Sequence, residues 1–340
     1  MTSERGVGLP QSPNRKSLSV VTPAYNEEQN LPILYRRLCC ALDPLDVEWE
    51  WIVIDDHSRD ATFGVLSTIS ANDRRVRGVR FSRNFGSHAA LSCALSLAAG
   101  GAAVIIAADL QDPPEVIPTL VGHWNQGAQV IWAAREKREG EKLATVGLAR
   151  IYYAIMRNVV GISEIAETGA DFCLMDRRVI DAFLRFGERN VSLFALIAWM
   201  GFRQETIGYT KEARLHGNSG WTVAKKVKLA IDSIAAFSFL PVRIMSWLGM
   251  LTAFAGFGYA AFIIYNAVSG HPAEGWSSLM VAVMIIGGLQ MLMLGILGEY
   301  LWRALDEARR RPRYTIEATT SDGAAVTTTG IAIEPSEMPS

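Results

Sequence analysis

The sequence predicts an α/β domain with a doubly wound, mostly parallel sheet, followed by interface helices and two membrane-spanning helices. Three observations predict it. From residue 18 to about 207, apolar runs of strand length alternate with helix-length segments, the pattern of a parallel sheet with helices on both faces. Residues 244–270 and 275–298 contain no Asp, Glu, Lys, Arg or His, and each stretch exceeds the ~20 residues that cross ~30 Å of hydrocarbon. Half of the residues are hydrophobic, a high share for a purely soluble protein.

The elements follow in order. Residues 1–17 are polar, with Pro, Gly, Ser and Arg and no apolar core. They read as a disordered tail without a secretory signal, on the cytoplasmic side. The runs LSVVT (18–22), WEWIVID (49–55), VRGVRFS (76–82), AAVIIAA (102–108) and AQVIWAA (128–134) read as strands. Residues 27–42, 60–71, 87–100 and 114–126 read as the helices between them. The α/β domain is thus expected over 18–210. In such sheets ligands lie beyond the carboxyl ends of the strands, so the polar residues after each strand are the candidates for chemistry.

Residues 211–241 carry Lys211, Arg214, His216, Lys225, Lys226 and Lys228 with Trp221, then an apolar run. They read as amphipathic helices on a membrane surface; a helix packed on the sheet fits the same pattern. Two spans, about 244–268 and 276–298, fill 242–302. The loop NAVSGHPAEG between them has no Lys or Arg, whereas Arg243 precedes the first span and Arg303 and Arg309, Arg310 and Arg311 follow the second. The positive-inside rule then puts both ends in the cytoplasm. Residues 303–340 read as a basic juxtamembrane segment and a tail, disordered from 317 onward because it is rich in Thr, Ala, Ser and Gly. The net charge of -1 gives no ground for nucleic-acid binding. The four cysteines show no C-x-x-C spacing and fit reduced thiols.

At the first strand end, TPAYNEE (22–28) places Pro23, Tyr25, Asn26 and Glu27; Asn26 could also simply cap the next helix. The second strand ends in Asp55-Asp56-His57-Ser58-Arg59-Asp60. Ser58 or Asp60 could cap a helix, but two adjacent carboxylates need something to use them, such as a ribose hydroxyl or a base N–H. The third ends in SRNFG (82–86), where Gly86 permits a tight turn and Arg83 could meet a phosphate. The fourth ends at Asp109, in IIAADLQDPPE (105–115), which two prolines stop. No glycine-rich dinucleotide or P-loop pattern and no H-E-x-x-H motif occurs. His57 and His88 read as loop or helix-start residues.

The ordered set PAYNEE, IDDHSRD, RNFG and ADLQDPPE resembles the family 2 inverting glycosyltransferases with a GT-A fold. ETGADFCLMDRRV (167–179), WMGFRQ (199–204), ARLHGNSGW (213–221) and ILGEYLWRALDEARRRPRY (296–314), with two spans, narrow the resemblance to the polyprenyl-phosphate glycosyltransferases, the bactoprenol glucosyltransferase and dolichol-phosphate mannose synthase relatives. It covers about residues 18–315.

The resemblance implies transfer of a sugar, UDP-glucose-like, from a nucleotide diphosphate to a membrane polyprenyl phosphate, with inversion. It implies that Pro23, Tyr25, Glu27, Asp55, Asp56 and Gln111 line the nucleotide site. Asp109 and Gln111 would hold a divalent cation, Mg²⁺ or Mn²⁺, against the diphosphate. Ala107 stands where the family usually has Asp, which removes one carboxylate; Mg²⁺ can be held by one or two carboxylates with phosphate oxygens and water. Asp171 is implied near the reacting centre, as acceptor-positioning group or base. Arg135 and Arg138 are candidates for diphosphate or acceptor phosphate, or for a solvated basic loop. Arg214 and Ser219 match the acceptor-phosphate stretch; Gly220 replaces its usual Lys, which passes that contact to Lys225 or Lys226. The resemblance also implies a multi-pass inner-membrane enzyme that forms homo-oligomers. Two competing readings stay open: a non-catalytic scaffold, favoured by Ala107, and transfer to a different lipid.

Overall fold

In the computed structural model the described residues are 17–135, 171–186, 192–212, 240–269, 275–309 and 311–320. The chain divides into two compact units, Met1–Lys226 with Pro312–Ser340, and Val227–Arg311.

The first unit is built on one eight-stranded sheet. In chain order its strands and helices are β1 (Ser17–Ala24), α1 (Leu31–Leu42), β2 (Glu48–Asp55), α2 (Thr62–Asn72), β3 (Val76–Phe81), α3 (Ser87–Leu97) and β4 (Ala102–Ile105). They continue with a 3₁₀ turn (Pro114–Val116), α4 (Ile117–Asn125), β5 (Val130–Arg135), β6 (Phe172–Asp176), α5 (Arg177–Arg185), α6 (Leu193–Trp199) and β7 (Gln204–Tyr209). After the second unit comes β8 (Ile316–Thr319). The spatial order is β7-β5-β6-β4-β1-β2-β3-β8. The pairs β1/β2, β1/β4, β2/β3 and β5/β7 are parallel, while β6 runs antiparallel to β4 and β5. The chain order reverses between β1 and β4, the switch point where such sheets bind ligands.

The central strands are continuous apolar runs because both faces are covered: Val20, Trp51, Val53, Val104, Ile131 and Leu174 are buried among helix residues such as Leu34, Leu38, Leu66, Leu120 and Trp124. Two buried indoles of this core are paired. The Trp51 indole donates to Thr22 (2.9 Å), and the Trp124 indole donates to Asp176 (2.8 Å), whose other oxygen caps α5 at the Arg178 N–H (3.0 Å). All four cysteines are free.

Several boundaries differ from the sequence reading. The helix expected at 27 begins at Leu31, because Asn26 takes a left-handed backbone (φ 58°) and Pro32 suits the first helical turn. The fourth strand ends at Ile105 rather than 108, where its pairing with both β1 and β6 stops. Of the tail expected to be disordered from 317, residues 317–319 instead belong to β8, antiparallel to β3; residues 321–340, like 1–16, lie outside the described residues. Side chains reward that pairing: Arg80 meets Glu317 (3.2 Å), and Thr320 exchanges hydrogen bonds with Gly78 through its N–H (2.9 Å) and Oγ1 (2.8 Å).

The second unit holds α7 (Leu240–Val268) and α8 (Trp276–Ala308). Within them, Ile244–Asn266 and Val281–Ala308 are long and apolar enough to cross a membrane, and neither is buried within the protein. Phe254, Phe257, Ile264, Met284 and Met291 are among their exposed side chains. The second helix continues past the uncharged stretch, through Glu299 to Ala308.

Candidate active site

The parallel strands β4, β1, β2 and β3 end on one edge of the sheet, and the antiparallel β6 begins there, since Cys173 pairs with Ile105. The ends of β5 and β7 fall on the same edge, with Arg135 opposite Tyr209. The sheet thus brings Tyr25, Asp55, Asp56, Asp109, Asp112, Arg135, Asp171 and Tyr209 to one side. Non-glycine residues in the left-handed region follow three adjacent strands: Asn26 (φ 58°) after β1, His57 (φ 60°) after β2 and Leu110 (φ 60°) after β4. Such conformations are costly for residues with a Cβ and collect at functional sites.

The first two strand-end loops are laced together. The Asn26 N–H donates to Ser58 Oγ (2.9 Å), and Asn26 Oδ1 accepts from the Arg59 N–H (2.8 Å). The Glu27 N–H donates to Thr62 Oγ1 (2.8 Å), and Glu28 Oε2 accepts from the Ala61 N–H (2.9 Å). Asn26 is therefore a cross-loop brace, not the cap of α1, whereas Asp60 accepts from the Thr62 N–H (3.0 Å) at the start of α2. Tyr25, half exposed, stands at the lip of this pair.

The adjacent carboxylates have different jobs. Asp55 is fully buried; its Oδ1 accepts from the Ser58 N–H (2.9 Å) and its Oδ2 lies 3.3 Å from the Arg80 guanidinium. Asp56 takes the N–H groups of Phe85 (2.7 Å) and Gly86 (2.8 Å), one on each oxygen. Burial raises the Asp56 carboxyl above its usual range, and those two N–H groups oppose the rise. Asp56 thereby fixes the RNFG turn, in which Gly86 has φ 94°, ahead of α3. Arg83 is exposed over the Phe85 ring.

The fourth strand end carries a group that sequence reasoning missed. Asp109, half-buried, accepts from the Gln111 N–H (3.2 Å). Three residues on, Asp112 is fully buried and takes a hydrogen bond from the Tyr209 hydroxyl, with the Lys211 ammonium at 3.3 Å. Burial raises the Asp112 carboxyl; Asp171 and Asp109 push the same way, against Lys211 and Tyr209. Arg135 Nη2 lies 3.7 Å from Asp171 Oδ1. Burial works against the Arg135 charge, but Asp171, Tyr209 and Asp112 outweigh it and raise its pKa. Among the described residues, Asp112 Oδ2, Asp171 Oδ1 and Arg135 Nε are buried without a hydrogen-bond partner, a costly state unless a ligand or cation completes it. The signal in the sequence was the carboxylate of Asp112 itself, in LQDPP; its partners Tyr209 and Lys211 lie about a hundred residues away.

Among the described residues no group of three His, Cys, Asp or Glu side chains is placed to hold a metal. The oxygen donors present, the Asp109 carboxylate with the unsatisfied carboxylate oxygens beside it, fit a hard cation that keeps water and substrate oxygens as further ligands. Arg138, Arg214, Ser219, Lys225 and most of the expected interface segment 211–241 lie outside the described residues.

Comparison with known proteins agrees with this architecture. The family model for glycosyl transferase family 2 matches residues 19–184, and that for the GtrB C-terminal hairpin matches residues 240–303. The uncharacterized glycosyltransferase sll0501 of Synechocystis sp. is 38% identical over 300 residues, 88% of this chain and 94% of the relative. The uncharacterized glycosyltransferase YkcC of Bacillus subtilis is 37% identical, over 88% of this chain and 93% of its own. The bactoprenol glucosyl transferase of Shigella phage SfV is 34% identical over 301 residues, 88% of this chain and 98% of the relative. With a carboxylate-lined switch point in the first unit and a hairpin of two apolar helices in the second, the chain belongs to glycosyl transferase family 2 and is a glycosyltransferase.

Proposed function

We propose that the protein transfers a sugar, from a UDP-glucose-like donor, to a polyprenyl phosphate at the cytoplasmic face of the inner membrane, with inversion at the anomeric carbon. The observation that carries this reading is the pairing of the family 2 domain with the apolar hairpin in one chain, together with 34% identity, over 88% of this chain, to a relative named bactoprenol glucosyl transferase. A polyprenyl chain stays in the bilayer, so its phosphate is met only at the surface, and two spans would hold a catalytic domain there. In this reading both termini are cytoplasmic and the protein forms homo-oligomers.

The donor nucleotide lies across the ends of β1 and β2, against Pro23, Tyr25, Glu27 and Asp55, with Asp56 shaping the neighbouring turn. Asp109 and Gln111 are the residues that would hold a divalent cation. When bound, that cation neutralises the charge that grows on the leaving diphosphate. Arg135 supplies a fixed positive charge on the same sheet edge, and Arg135 and Arg138 contact the diphosphate or the acceptor phosphate. Asp171, beside Arg135, positions the acceptor. The acceptor is a phosphate monoester with a second pKa near ~6, already anionic at neutral pH, so the mechanism needs no strong general base. Arg214, Ser219 and Lys225 receive the lipid phosphate.

The test is transfer of label from a panel of UDP- and GDP-sugars to a short polyprenyl phosphate by the full-length protein in detergent, with Mg²⁺, Mn²⁺ or EDTA. Transfer from one donor, lost with EDTA and in Asp109→Ala, is the expected result. Transfer that survives EDTA removes the cation from the mechanism. No transfer by folded, lipid-competent protein brings forward the scaffold reading, which Ala107 favours, or transfer to a different lipid.

A further inference from the structure

The strand that follows the apolar hairpin reaches the candidate donor site through one side chain. Glu317, on β8, has its Oε2 3.2 Å from Arg80 Nε and 3.5 Å from His57 Nδ1. Arg80, on β3, is the hub. Its Nη1 lies 3.3 Å from the fully buried Asp55 carboxylate, its Nη2 donates to the Ser58 carbonyl (3.2 Å), and its guanidinium stands 5.7 Å from the Phe63 ring centroid. His57 is itself pinned, with Nδ1 3.0 Å from the Phe81 carbonyl, where β3 ends. So Arg80 and His57 tie the turn after β2 to β3 from one side, and both touch Glu317.

The rest of β8 is built to keep Glu317 in place. It pairs antiparallel with β3, with a register shift at Arg80/Phe81. Before it, the Tyr314 ring stacks on Phe81 with centroids 5.0 Å apart, and the Arg313 guanidinium donates to the Phe186 carbonyl (2.9 Å). After it, Thr320 closes two hydrogen bonds on Gly78. Anchors on both sides of one glutamate make a rigid holder, which is what a residue that orients another needs.

We propose that Glu317 is a positioning residue for the donor site: it holds the Arg80 fork so that Arg80 fixes Asp55 and the Ser58 turn in their nucleotide-binding arrangement. This rests on the reading that Asp55 meets the nucleotide. An arginine has five N–H donors in a fixed plane. Glu317 takes the Nε edge, which leaves Nη1 and Nη2 aimed at Asp55 and Ser58. Without the carboxylate on that edge, the fork is free to rotate off the turn, and the donor site loses its shape while the sugar-transfer and lipid groups stay as they were.

The experiment uses the full-length protein in detergent, with whichever of UDP and GDP the wild type binds in Mg²⁺ as the probe, and the matching sugar donor for kinetics. Glu317→Gln, which preserves the size of the side chain, is expected to weaken nucleotide binding and raise the donor KM about threefold to fivefold, as for a partly exposed ion pair. The kcat and the acceptor KM stay at the wild-type values, and Glu317→Asp recovers part of the loss. A chain ended after Arg313 shows at least the same donor defect. Asp55→Asn is measured alongside. If it loses nucleotide affinity and Glu317→Gln does not, this proposal is overturned and the donor site stands. If neither changes affinity, or the wild type binds neither nucleotide, the donor-site reading falls and takes this proposal with it.

Discussion

Asp56 and Gly86 are joined across 30 residues by a 2.8 Å hydrogen bond from the glycine N–H to the carboxylate, with a 2.7 Å bond from the Phe85 N–H to its other oxygen. Two N–H donors on one carboxylate form a claw that only an anion with two acceptor oxygens can complete. Asp56→Asn puts an amide NH₂ against one of the two N–H donors. We expect it to cost about 1–3 kcal/mol, a fall of several degrees in the melting temperature of the full-length protein, and to raise the donor KM. An unchanged melting temperature would remove the structural role assigned to Asp56.

Tyr209 is the hydroxyl partner of buried Asp112. Burial raises the tyrosine pKa far above its usual value, and Asp112 adds to the rise, so the hydroxyl stays protonated and donates. In Tyr209→Phe, Asp112 retains Lys211 at 3.3 Å but loses the hydroxyl. The expected loss is about 1–3 kcal/mol. If the double variant Tyr209→Phe with Asp112→Asn loses less than the sum of the two single variants, the pair is coupled; a strictly additive loss would dissolve the pairing.

The alternation of apolar runs made β1 to β5 legible, because strands covered on both faces must be apolar throughout. The polar groups after those strands were legible as well, since the strand ends say which edge they share. What lay beyond reach depended on partners far away in sequence. Asp112 reads as an ordinary turn residue between Gln111 and Pro113 until β7 brings Tyr209 beside it. Asp55 and Asp56 look alike in the chain, yet one faces Arg80 and the other the amides of Phe85 and Gly86. β8 was hidden because IEAT, in a Thr- and Ala-rich tail, carries too little apolar surface to announce a strand. Its stability comes from Arg80, Gly78 and the Tyr314 ring.

Asp109 lies in the turn after β4, with Ala107 two residues before it. If Asp109 is the carboxylate that holds the cation, Asp109→Ala lowers sugar transfer by about 100-fold or more, the scale for losing a group that stabilises leaving-group charge. Ala107→Asp adds an oxygen ligand and is expected to lower the Mg²⁺ concentration for half-maximal activity, with little change in the rate at saturating Mg²⁺. Titrating Mg²⁺ against the initial rate of label transfer checks both. A variant at Ala107 that leaves the Mg²⁺ requirement unchanged would place that residue outside the cation's reach.

Far from the site, Asp73 and Arg75 link the end of α2 to the start of β3. The Arg75 guanidinium hydrogen-bonds the carboxylate at 2.8–3.1 Å, and the Arg75 N–H (2.9 Å) and Tyr35 hydroxyl (2.8 Å) add to it. The Arg75 side chain, against the effect of burial, draws the Asp73 carboxyl down to about 2. An unfolded Asp titrates near ~3.9. A carboxyl depressed in the folded state contributes stability that is fully present above the unfolded value and disappears as pH falls toward the folded one. Because the Arg75 side chain is 40% exposed, solvent screening reduces the contribution to about 1 kcal/mol. Thermal unfolding of the full-length protein in detergent should therefore lose that amount more between pH 5 and pH 2 in the wild type than in Asp73→Asn. Parallel pH profiles for the two proteins would show that Asp73 keeps an ordinary pKa and that the Arg75 contacts leave its titration unchanged.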